Sequence, residues 1–168
     1  LILGAALDVP LRDQNAMLQA ADHAEEFAEP GIDEALAGPV GQAVERMMAA
    51  HEPYPMCVMD RHYTLLRVNQ SAMRLLTRFV ANPERLSWPL NVFDALFDPE
   101  LARPFVVNWP VFARGLMTRL QREALRRQSD AGLADMIERL LAYPDVPESF
   151  RQPDFSLPSP AVFTLRFQ

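Results

Sequence analysis

The sequence contains no lysine: all 16 of its basic residues are arginine. It holds one cysteine, Cys57, which excludes an intramolecular disulfide and any cysteine-rich zinc site. The three histidines, His23, His51 and His62, are scattered and make no metal-ligand spacing with that single thiol. Glycine is scarce, 6 residues against 15 prolines, and none of it forms a phosphate-cradling loop. No Gly-x-Ser-x-Gly elbow and no His-Glu-x-x-His pair is present, so no motif supports catalysis, and neither a metal nor a cofactor is expected. No apolar run approaches the roughly 18–20 residues that span a bilayer. A basic segment followed by an apolar stretch and a cleavage site is missing as well, so no secretion signal is read. The chain begins Leu1-Ile2-Leu3 rather than with Met, and the expectation is a piece of a longer protein. GC-rich codon usage accounts for arginine without lysine; selection for a phosphate or carboxylate binder is the sharper alternative.

What is present is an ordinary globular balance, 49% hydrophobic and 23% charged, over 168 residues. A chain of that length buries about 70% of its unfolded surface. Charge is uneven. Residues 1–60 carry eleven acids against Arg12 and Arg46, whereas residues 61–168 carry fourteen bases and eleven acids, for an overall −6. That acidic total argues against a nucleic-acid grip, which needs a cationic face. The local exception is Arg114, Arg119, Arg122, Arg126 and Arg127, read mainly as a solvated or carboxylate-paired helix face.

Leu11–Ala21 reads as a helix with Leu11, Leu18 and Ala21 inward, and residues 22–39 as an acidic linker rich in Pro and Gly. Val40–His51 has Val40, Val44, Met47 and Met48 at helical spacing. Two short strands, Met56–Asp60 and Thr64–Asn69, flank an Arg61-His62-Tyr63 turn, with Cys57 a buried thiol in the first. Ser71 is a candidate cap for a helix over Ala72–Val80. Asn91 caps Val92–Phe97, and Asp98-Pro99 opens a further short helix. The longest helix runs from Asn108 to about Arg127, with Phe112, Leu116, Leu120 and Ala124 as its buried stripe. Asp130 caps the next, which turns Leu133, Met136, Ile137, Leu140 and Leu141 inward. Ala161–Phe167 alternates as a half-buried strand. The fold class is therefore α+β with helices dominant, and two hairpin strands are too few to stand alone.

The stretch Ala6–Leu18 resembles the tail of an XRE-type helix-turn-helix domain joined to an MmyB-like ligand-binding domain. The motifs His51-Glu52-Pro53-Tyr54-Pro55, Asp60-Arg61 and Val68-Asn69 are similar to that family's first hairpin. Val106-Val107-Asn108-Trp109 resembles its central signature, and Leu140–Pro147 and Ser159-Pro160 through Leu165-Arg166-Phe167 continue the likeness in order. The resemblance implies a PAS-like antiparallel sheet of about five strands flanked by several helices, here short of its C-terminal strands. It divides the chain into the tail of an N-terminal helix-turn-helix domain (1–21), an acidic linker (22–39) and a PAS-like ligand-binding domain (40–168).

The implied role is the sensing domain of a bacterial transcription regulator in the cytoplasm, away from the membrane. A small hydrophobic molecule, fatty-acid-like in class, would lie between sheet and helices. Its expected lining is Val58, Leu66, Met73, Leu76, Phe105, Trp109, Phe112 and Leu116. DNA would be bound only through the absent N-terminal domain, and the regulator is expected to be a homodimer. The alternative is a structural dimerisation module with no ligand, in which the same side chains are plain core.

Overall fold

Proline and asparagine set most of the element boundaries. The computed structural model describes residues 4, 6–24, 26, 36–127, 130–154 and 156. Two units divide the chain, Leu1–Arg46 and Met47–Gln168.

In the first unit, helix α1 spans Leu11–Ala20, with Pro10 supplying the carbonyl that Asp13 and Gln14 amides bond. Its inward residues are not the expected ones. Gln14 and Asn15 are buried, while Leu11 is 58% exposed and Ala21 is also exposed. Polar contact replaces apolar packing here: Gln14 Nε2 donates to Val9 O at 2.7 Å. Helix α2, Pro39–Ala50, begins in this unit and continues past Arg46 into the second; Gly41 and Met48 are buried and Val44 half-buried, whereas Val40 and Met47 are exposed. Gly41 sits against the preceding turn of chain. A Cβ there would lie 1.8 Å from the Leu36 carbonyl oxygen, so only glycine admits the close approach.

The second unit mixes helix and sheet, as the patterning indicates. Strands β1 (Cys57–Met59) and β2 (Leu65–Val68) pair antiparallel, with Cys57 opposite Val68 and Val58 opposite Arg67. A bulge between Val58 and Met59 brings Met59 opposite Leu65 and breaks the simple alternation. Leu65 is consequently the buried residue of β2, and Leu66 is only half-buried. Cys57 is exposed rather than buried, because every residue of β1 retains contact with solvent. Among the described residues the sheet has these two strands. The strand expected over Ala161–Phe167 and most of the acidic stretch 22–39 lie outside the described residues.

Helix α3 runs Gln70–Arg78 and is capped by Asn69, not Ser71: the Asn69 side chain accepts from the Ala72 amide. Helix α4, Val92–Phe97, is capped by Asn91 as its sequence indicates. Asp98 makes a local turn by accepting from the Glu100 amide, and only a 3₁₀ turn at Arg103–Phe105 follows. Helices α5 (Trp109–Arg126) and α6 (Ala131–Leu141) form a pair, and Glu148–Arg151 makes a final 3₁₀ turn against both.

Helix α5 is central. Half of its 18 residues are buried, including Gly115 and Thr118 outside the stripe Phe112, Leu116, Leu120. One core joins α4, α5, α6 and Phe150 around Phe97, Met117, Leu120, Met136 and Leu140, all nearly or fully buried. A second, smaller core gathers Leu65, Val80, Leu90, Ala95 and Leu101 beneath the hairpin. Among the described residues no helix is long and apolar enough to cross a membrane.

Candidate functional site

The hairpin turn is held by side chains far away in sequence. Asp60 Oδ1 accepts from the His62 and Thr64 amides, both at 2.8 Å, which shapes the turn and leaves Tyr63 at a left-handed φ of 64°. His62 Nε2 then donates to Asp130 Oδ1 at 2.7 Å, and Tyr63 Oη donates to Glu123 Oε2 at 2.8 Å. His62 also crosses closely over Gly132, where a Cβ would lie 3.0 Å from the imidazole ring. The turn is thus joined to the end of α5 and the start of α6. Tyr63 also packs edge-on against Phe93. Nothing in the sequence pairs His62 with Asp130, since 68 residues separate them.

Asp130 serves two partners, capping α6 through the Leu133 amide while accepting from His62. Burial pushes its carboxyl up, but the His62 and Leu133 bonds and the Arg61 charge outweigh that and hold it below the usual 3.8. A carboxylate depressed in the folded state adds stability above its ordinary range, lost as pH falls through the folded value. Asp130→Asn keeps a competent cap but loses the charge. It should cost about 1.5 kcal/mol at pH 6. In urea denaturation the gap to the parent protein should close as pH falls below about 4; a gap that persists at acid pH would contradict the ionic account.

A second polar knot fastens the hairpin's other end. The buried Asn69 accepts from the Met56 and Ala72 amides and donates to Tyr54 O. Beside it Glu52 accepts from both the hydroxyl and the amide of Ser71, and the hydroxyl bond leads in holding the Glu52 carboxyl below its ordinary value. Further along, Asp94 accepts from Arg139 at 3.0 Å and from Tyr143. Burial, with the Asp94 and Asp98 charges, pushes the Tyr143 phenol up to about 12.

The expected lining residues fall into three groups. Trp109, Phe112 and Leu116 meet in the larger core, where Trp109 Nε1 donates to Leu96 O at 2.7 Å and Arg103 lies 3.8 Å from the indole centroid. Leu76 packs on the smaller core, and Phe105 meets Phe79 edge-on at 5.8 Å. Val58, Leu66 and Met73 are half-buried and belong to neither core. The arginines of α5 are largely engaged within the chain. Arg114 donates to Ser149 O, Arg119 stands over the Tyr63 ring, and Arg127, just past the helix end, pairs with Glu123.

A groove of about 560 Å³ opens between α5, α6 and the segment 151–153. Ala124, Leu125, Ile137, Leu141 and Pro153 make its walls, and Gln121, Glu138 and Arg151 are its polar members. Periodicity places Gln121 beside a buried stripe but carries no sign of a groove, because the segment that closes it lies 30 residues away. Among the described residues no cluster of His, Cys, Asp and Glu could hold a metal ion.

The family model described as the MmyB-like transcription regulator ligand binding domain matches residues 40–168. No match is found among curated proteins or among solved structures.

Proposed function

The chain belongs to the family of MmyB-like transcription regulator ligand-binding domains, and from that membership we propose that residues 40–168 sense a small hydrophobic, fatty-acid-like molecule. The membership carries the reading, and the packing supports it. Val58, Leu66, Met73, Leu76 and Phe105 are apolar side chains left half-buried, so they offer surface that a ligand would cover. Trp109, Phe112 and Leu116, which sit in the larger core, would complete the lining, with the indole body giving apolar area. The acidic stretch 22–39 would pass the signal to residues 1–21, the tail of a helix-turn-helix domain, and through them to the rest of that domain. Ligand would act by favouring one of two arrangements of the regulator, and a homodimer is the form suited to a palindromic operator.

The test is thermal denaturation of the chain with myristate. At a hundredfold excess over Kd the ligand should stabilise the domain by about 2.7 kcal/mol. Met73→Glu, at a half-buried position, should abolish that response while the unliganded melting temperature changes little. If fatty acids of every chain length leave the melting temperature unmoved, the proposal fails.

A further inference from the structure

We propose that the Asp130 carboxylate is a two-way device: it holds the hairpin turn at the expense of the first turn of α6, and closes that first turn when the hairpin lets go. The device does not depend on the ligand reading above.

One oxygen serves both sides. Asp130 Oδ1 accepts from His62 Nε2 at 2.7 Å and from the Leu133 amide at 3.3 Å, so it lies closer to the hairpin than to the helix it caps. Arg61 Nε stands 3.9 Å from the other oxygen and draws the carboxylate the same way.

The start of α6 is correspondingly loose beside those of α3 and α4. Its first i to i+4 bond, from the Ala134 amide to Asp130 O, is 3.4 Å long. The same bond is 3.0 Å from Met73 to Asn69 and 3.1 Å from Ala95 to Asn91. The cap bond of 3.3 Å compares with 2.9 Å at Asn69 and 3.0 Å for the nearer amide on Asn91. Backbone geometry agrees: ψ is 84° at Asp130, against the extended cap values of 173° at Asn69 and 127° at Asn91. Sharing an oxygen is not in itself the cause, since Asn69 Oδ1 holds two amides at 2.9 Å each. The pull of the distant turn is.

Gly132 completes the arrangement. At the second position of α6 it lets the imidazole lie across the helix start, where a Cβ would be 3.0 Å from the ring. Glycine also has the weakest helix propensity short of proline, so the first turn leans on its cap. The cap, in turn, answers to the hairpin. Movement of the turn away from α6 frees Oδ1 to close on Leu133, and displacement of the hairpin is converted into ordering of a helix start.

Amide exchange followed residue by residue by NMR, on the 168-residue chain, tests the device. His62→Phe keeps a ring over Gly132 and removes the donor, so the Leu133 and Ala134 amides should exchange at least threefold more slowly than in the parent. A turn that merely props up α6 predicts the opposite sign. Tyr63→Phe cuts the hairpin's other tie, at Glu123, but leaves Asp130 engaged and should not slow either amide. Asp130→Ser caps α6 with a shorter, neutral side chain; in that background His62→Phe should have no effect. Unchanged or faster Leu133 exchange in His62→Phe would overturn the proposal, as would an undiminished effect in the Asp130→Ser background. If His62→Phe does not fold, Asp130→Ser decides alone: Ala134 exchange slower than in the parent supports the device, and equal or faster exchange sinks it.

Discussion

Phe97→Ala should lower the unfolding free energy of the Met47–Gln168 unit by about 3–5 kcal/mol, the largest effect foreseen for a single residue. The ring is fully buried where α4 meets α5, with its centroid 5.6 Å from that of Trp109 in an edge-on contact. Truncation removes the transfer free energy of the ring and leaves a void that the surroundings close only in part. Collapse is hindered because the Trp109 indole is tethered to Leu96 O and covered by Arg103. Phe97→Leu retains most of the volume and should cost less, about 1–1.5 kcal/mol. Urea denaturation monitored by circular dichroism separates the two. A Phe97→Ala loss under 1 kcal/mol would mean that the two helices slide together over the gap.

Asn69→Ala comes next, at about 3 kcal/mol, although it removes only a small polar group. That amide serves three backbone groups at once: the amides of Met56 and Ala72 and the carbonyl of Tyr54. Losing it strips the cap from α3 and leaves donors unpaired in a buried place. Asn69→Asp keeps the acceptor for both amides but presents an oxygen to the Tyr54 carbonyl. It should therefore recover part of the stability, with the order Asn, Asp, Ala in denaturant midpoint. Equal midpoints for the Asp and Ala variants would show that the two amide bonds contribute little.

Asn69 also shows where sequence reading reaches its limit. Val68-Asn69 stands out as a motif, yet the hydroxyl two residues later has the same capping chemistry, and only geometry decides between them. Ser71 is drawn off by Glu52, a partner 19 residues earlier. The strongly periodic parts were legible: α5 with its Phe112, Leu116, Leu120 stripe, α6 with its Asp130 cap, and α4 behind Asn91. Each is specified by contacts within a turn or two of chain. The hairpin register was not, because one bulge shifts which residues pair across the two strands. Nor was the facing of α2, where Val40 and Met47 share the helical spacing of Met48 but stay exposed. For the site, the family resemblance could name apolar candidates such as Trp109 and Phe112, and these lie together in the larger core. It could not separate them from Val58, Leu66 and Met73, which share the same residue character but not the same packing. The Gln121 groove had no signal at all, since Phe150 and Arg151 reach that glutamine from across the fold.

The fastening of the hairpin turn has a consequence for the order of assembly. A two-stranded ribbon is marginal by itself, and the bonds that hold this one span 60 and 68 residues of chain. Contacts so distant in sequence return nothing until the intervening loop is closed. The α5–α6 pair is built from near neighbours and has no such delay. The helices can thus form early and offer Glu123 and Asp130 as a ready-made berth, and the ribbon, though it is made first, is the part that locks last.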